Sequence, residues 1–237
     1  GALEELVAGF EGRLRVVAPT FPEGRSDWYR WSDEVAVNFG MEFYEMHEGP
    51  TDEAIEKARK EPAKNISFGK PTYEEMLCLE ELEPCCKQLL NLCEEEAAAL
   101  PEGARLALGG FGQGGAVAAY AALSATAPEE VQARLCGLAP CCSGVPVFHF
   151  LARRMQVTCL AAKERGVHEQ PIRVQMVYGK EDPEVKESFV ETTRDMYRRF
   201  DFPVTLSRFE KSPEGRLPQE VQLEQLRRAV KAWSKPA

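Results

Sequence analysis

The residues best placed to do chemistry gather at one glycine-rich turn. The apolar segment Arg105–Phe111 runs into Gly110-Phe111-Gly112-Gln113-Gly114-Gly115, and then into Ala116–Ala125, which is apolar nearly all round. A strand, a sharp turn and a buried helix are the setting of a nucleophile elbow, G-x-S-x-G. There the central residue is held at a strained backbone angle, and glycines flank it because side chains would collide with the neighbouring strand and helix. The backbone N–H after the centre, here that of Gln113, helps stabilise an oxyanion. The centre of this turn is Gly112, which has no side-chain oxygen to acylate.

Two other uses of such glycines compete. A phosphate loop needs a Lys-Ser/Thr pair after the glycines, and none follows. A dinucleotide fingerprint normally opens the first strand of a βαβ unit, with an acid about twenty residues on, whereas these glycines come mid-chain. The eight cysteines, Cys78, Cys85, Cys86, Cys93, Cys136, Cys141, Cys142 and Cys159, form no C-x-x-C motif. Their spacing fits neither a zinc site nor a small disulfide scaffold. Reduced thiols used as small core residues are expected, in a reducing intracellular compartment, cytoplasm or organelle matrix. No cofactor and no metal is implied. Cys141 or Cys142 at a strand end is the alternative nucleophile, but no elbow surrounds either.

Elements must hold this turn in place. Five short apolar segments read as strands: Leu14–Ala18, Arg105–Phe111, Ala133–Ala139, Ile172–Tyr178 and Val204–Phe209. Helical spacing joins Cys78, Leu82, Cys86, Leu89 and Cys93, with Pro84 starting or kinking that helix. Val185, Phe189, Met196, Tyr197 and Phe200 mark one face of a later helix, and Leu223, Leu226, Val230 and Trp233 the face of the last. Strands alternating with helices predict an α/β fold, a mostly parallel sheet with helices on both faces. A single domain over 1–237 is expected. Glu34 to Lys70, with Pro50, Pro62 and Pro71 in or beside it, reads as an acidic insertion at about 34–71, with a short helix at Asp52–Lys60.

The chain has 237 residues, ample for one core. Its 38 acidic against 29 basic residues give a net charge of −9, which disfavours sequence-blind nucleic-acid binding and docking on anionic lipid. The most apolar stretch, Leu106–Leu123, carries five glycines and Gln113 in its first half, so it suits a strand-turn-helix better than a transmembrane span. The chain opens on Gly1 rather than Met, with no signal-peptide pattern.

Three segments together carry a resemblance. Leu108-Gly109-Gly110-Phe111-Gly112-Gln113-Gly114-Gly115-Ala116 resembles the elbow of the acyl-protein thioesterase, carboxylesterase and lysophospholipase family of α/β-hydrolases. Ala18-Pro19-Thr20 followed by Trp28-Tyr29 is similar to that family's Ala-Pro and Trp-aromatic segment. Tyr178-Gly179-Lys180-Glu181-Asp182-Pro183-Glu184-Val185 resembles its acid loop, and the resemblance implies that Asp182 holds the triad acid's place.

The departures are as specific as the likeness. The family's nucleophilic serine is replaced by Gly112. α/β-Hydrolases order their triad Ser, acid, His, yet His47, His149 and His168 all precede Asp182. In the family's histidine segment, here Phe209–Gly215, the alignment puts Glu214 in the histidine's place. A carboxylate there adds like charge beside Asp182 and cannot shuttle protons as an imidazole does. The His-Gly-type loop that supplies the second oxyanion donor has no counterpart, because only a dozen or so residues precede Leu14–Ala18, so the first strand reads as missing. Loss of nucleophile or base alone costs roughly 10⁴-fold to 10⁶-fold in rate. Asp182 is then left as a turn or helix N-cap before Pro183–Phe200.

The leading expectation is a catalytically inactive pseudo-thioesterase, a structural or binding subunit of a larger assembly. Its partners are proteins, with an acyl or lipid molecule in the vestigial cleft as a candidate ligand. The alternative is an acyl-protein thioesterase or carboxylesterase whose nucleophile has been mutated to Gly112. A third reading is a different α/β binding protein whose glycines only mimic an elbow, which a structure without a sharp turn at Gly112 would favour.

Overall fold

Apolar segments of five to seven residues, each followed by a longer apolar-striped segment, favour strands that pair in parallel through helical crossovers. The computed structural model describes residues 10, 15–17, 19, 73–124, 127–141, 143, 148–164, 172–180, 182, 185, 187–210 and 219–233. In chain order the elements are α1 (Tyr73–Ala99), β1 (Leu106–Phe111), α2 (Gln113–Ala122), α3 (Glu129–Arg134), β2 (Leu135–Cys141), α4 (Phe148–Glu164), β3 (Arg173–Gly179), α5 (Glu187–Arg199), β4 (Val204–Phe209) and α6 (Gln219–Trp233). Among the described residues the sheet has four strands in the order β1-β2-β3-β4, all parallel. The α/β expectation is met.

The sheet's two faces are filled by different helices. One core joins Leu82, Cys86 and Cys93 of α1, most of α2, Val131 of α3, Leu151 and Met155 of α4, and Met196 and Tyr197 of α5. The other joins Ala139, Cys141 and Val177 of the sheet to Ala229 and Trp233 of α6. Crossovers of one hand between successive neighbouring strands put α2 to α5 on the same face. α6 follows the last described strand and is free to cover the other face.

Pro84 lies inside α1, which runs through it, and Pro84 itself is exposed. Several element ends differ from the sequence expectation. The helix expected over Ala116–Ala125 starts at Gln113 and ends at Ala122. The strand expected over Ala133–Ala139 starts at Leu135, because Ala133 and Arg134 close α3. Pro128 is the N-cap of α3, Glu129 and Glu130 occupy its first turn, and Arg134 pairs with Glu130 at 3.1 Å one turn away. Those features favour helix through Arg134.

The strand expected at Leu14–Ala18 is corrected in its described part: Arg15, Val16 and Val17 carry no strand pairing. Arg15 reaches out instead to Glu96 of α1, at 2.8 Å, and Val17 is exposed. The insertion at about 34–71, its helix at Asp52–Lys60 and the segment Trp28-Tyr29 lie outside the described residues.

Where α6 meets β2, the contact depends on an absent side chain. A Cβ built on Gly137 falls 2.3 Å from the ring atoms Cδ2 and Cε3 of Trp233. The indole is a rigid plate that is 6% exposed, so it has no cheap way to retreat. We expect Gly137→Ala to lower stability by about 1–3 kcal/mol in thermal or urea unfolding. In combination with Trp233→Ala, the double variant is expected to lose clearly less than the sum of the single losses, since the clash disappears with the ring. Strict additivity would contradict this packing.

Candidate functional site

β1 ends at Phe111 and α2 begins at Gln113, so one residue makes the whole reversal. Gly112 does so at φ 53° and ψ −125°, a left-handed φ that suits a residue without Cβ. Its N–H donates to the carbonyl of Cys141 at the end of β2, at 3.0 Å. Its own carbonyl accepts from the N–H groups of Gly115 and Ala116, at 3.1 and 3.3 Å. The same peptide therefore closes the sheet and opens the helix. The sharp turn that an elbow requires is present, so the observation that would favour glycines only mimicking one is not made.

The flanking glycines are needed for space. A Cβ on Gly110 would lie 2.5 Å from the carbonyl carbon of Gly114 and 2.7 Å from its oxygen, and backbone cannot give way as a side chain does. A Cβ on Gly115 would lie 2.8 Å from the Cβ of Ser143 and 2.9 Å from the carbonyl oxygen of Gly110. Gly112 is the opposite case: a Cβ there meets nothing within 4 Å. The mount would therefore accept a serine side chain at the cost of the backbone angle alone. Gln113, whose backbone N–H is the expected oxyanion donor, is the first residue of α2, at the positive end of its dipole. Phe111, the residue before the turn, is 42% exposed.

Asp182 follows β3, two strands away from β1, or about 10 Å across the sheet. All four strands are parallel, so Gly112 and Asp182 follow strand ends on the same edge of the sheet, where ligands of open α/β sheets bind. Asp182 donates its N–H to the carbonyl of Gly179 at 3.3 Å, and its Oδ1 accepts the N–H of Val185 at 3.0 Å. That is the turn-capping work expected of it ahead of α5. The chain after β4 leaves from this edge as well. The N–H of Lys180 donates to the carbonyl of Phe209 at 2.7 Å, and the Lys180 ammonium pairs with Glu210.

Glu214, four residues past Glu210, lies outside the described residues, as do His47, His168 and Cys142. His149 falls in the first turn of α4. Ser143 was not singled out by the sequence reading, yet it is 7% exposed and is the side chain against which Gly115 packs. No local pattern announces that contact, since it joins segments 28 residues apart in the chain.

The thiols are placed as core atoms. Cys85, Cys86, Cys93, Cys136, Cys141 and Cys159 are thiols outside any disulfide, all but Cys136 buried. Burial pushes Cys86 up to about 12 and Cys93 up to about 11, and raises Cys136 and Cys159 as well. Such thiols are protonated near neutral pH and are poor nucleophiles. Cys141 is fully buried, its thiol 3.7 Å from the carbonyl of Ala139. Among the described residues no group of three His, Cys, Asp or Glu gathers to hold a metal ion.

The elbow yields a graded prediction. Gly110→Ala and Gly115→Ala each force backbone or buried atoms apart, and each is expected to unfold the protein at markedly lower temperature than the native sequence. Gly112→Ala meets no atoms and should lose only the strain of its φ, about 1–3 kcal/mol. A Gly112→Ala variant less stable than Gly110→Ala would overturn this assignment of roles.

No family model and no curated protein sequence matches the chain. Solved structures do. Acyl-protein thioesterase 2 of Zea mays superposes with a TM-score of 0.51 at 18% identity, over 71% of this chain and 69% of that one. Esterase PE8 gives 0.49 at 16% identity over 71% and 68%, and SOBER1 of Arabidopsis thaliana 0.47 at 15% over 72% and 70%. At such identity the likeness to the maize structure shows the fold alone: over about 70% of each chain the two share one α/β architecture.

Proposed function

We propose that this protein is a catalytically inactive member of the α/β-hydrolase fold, acting as a structural or binding subunit of a larger assembly in a reducing intracellular compartment. The observation that carries the proposal is Gly112. The elbow is built in full, with its left-handed turn and its two space-requiring glycines, and the residue at its centre has no nucleophilic atom. Supporting it, no histidine follows Asp182 in the chain, and Asp182 is engaged in capping a turn. The degenerate positions are Gly112, Asp182 and Glu214. Partners on this reading are proteins, with an acyl or lipid molecule in the vestigial cleft as the candidate small ligand. No helix among the described residues is long and apolar enough to cross a membrane.

One observation favours a second reading. A Cβ at position 112 meets no atom, so a serine side chain would fit. On that reading the protein is an acyl-protein thioesterase or carboxylesterase whose natural residue 112 is serine. Sequencing the natural gene at codon 112 separates the two: glycine favours the inactive protein, serine the enzyme.

Turnover tests the proposal directly. Purified protein of this sequence is expected to leave acyl-thioesters and short esters hydrolysing at the uncatalysed rate. Because triad members act as a unit, Gly112→Ser alone should also stay within a few-fold of background. Robust hydrolysis by the protein with glycine at 112 would end the proposal. For the assembly role, purification from its natural source should bring down a stoichiometric protein partner, read by mass spectrometry and sedimentation. A stable, well-behaved monomer with no companion would contradict membership in an obligate complex.

A further inference from the structure

We draw no further inference here: the strongest candidate, the strip of Ala107, Gly109 and Phe111 exposed on the α6 side of β1, is an uncovered sheet face of small and apolar residues, and nothing in the structure shows what covers it.

Discussion

The reversal of the chain at Gly112 is the constraint on which the rest of the site depends. A strand that ends at Phe111 and a helix that starts at Gln113 leave one residue to turn the backbone. The turn works only because Gly112 takes φ 53°, Gly110 lies against Gly114, and Gly115 lies against Ser143. The bond from the Gly112 N–H to Cys141 then fixes the turn to the neighbouring strand. Burial holds the other end: Gly115 through Leu123 are buried without a break, so α2 cannot slide or tilt without opening the core. An apolar helix aimed at a strand end is the rigid mount on which this fold carries its chemistry.

What is mounted there is the point of interest. The parallel sheet brings the ends of β1, β3 and β4 to one edge, which is the arrangement that gathers a nucleophile, an acid and a base from three distant stretches of chain. On the proposed reading the first of those positions is Gly112, the second is Asp182, which caps a turn, and the third is the one with which Glu214 aligns. Packing and chemistry part company at this edge. The glycines that make room are in place, and the residue at the centre of the turn carries no side-chain atom. On the proposed reading, stability keeps the elbow because α2 and β1 are packed through it, whether or not a reaction takes place there.

Much of the fold was legible in the sequence. The four segments that form the sheet were each found within a few residues, because short apolar runs bounded by turn residues leave little else for a strand to be. Val204–Phe209 fits its expected limits fully. Helix ends were less legible. Ala133 and Arg134 look like the start of an apolar run, yet the Glu130 pairing and the Pro128 cap keep them helical. α4 is not legible although Leu151, Met155 and Cys159 recur every four residues, since Arg153-Arg154 and Gln156 interrupt the stripe. Arg15 to Val17 form no strand because the Val16-Val17 pair shows propensity only, and pairing needs a partner.

The site was legible where it is local and silent where it is not. Gly110 to Gly115 are contiguous, so the turn and its strain were readable from spacing alone. The Asp182 cap was readable from its place before Pro183 and a helical stripe. The Ser143 contact and the Trp233 ring over Gly137 were not, because each joins segments that only the folded sheet brings together.

On the proposed reading this elbow holds no atom able to form an acyl bond. The most direct measurement is the intact mass of the natively sequenced protein after incubation with a fluorophosphonate probe that labels activated serines. The account predicts an unchanged mass. A covalent adduct mapped to the peptide spanning Gly110–Gly115 would contradict it.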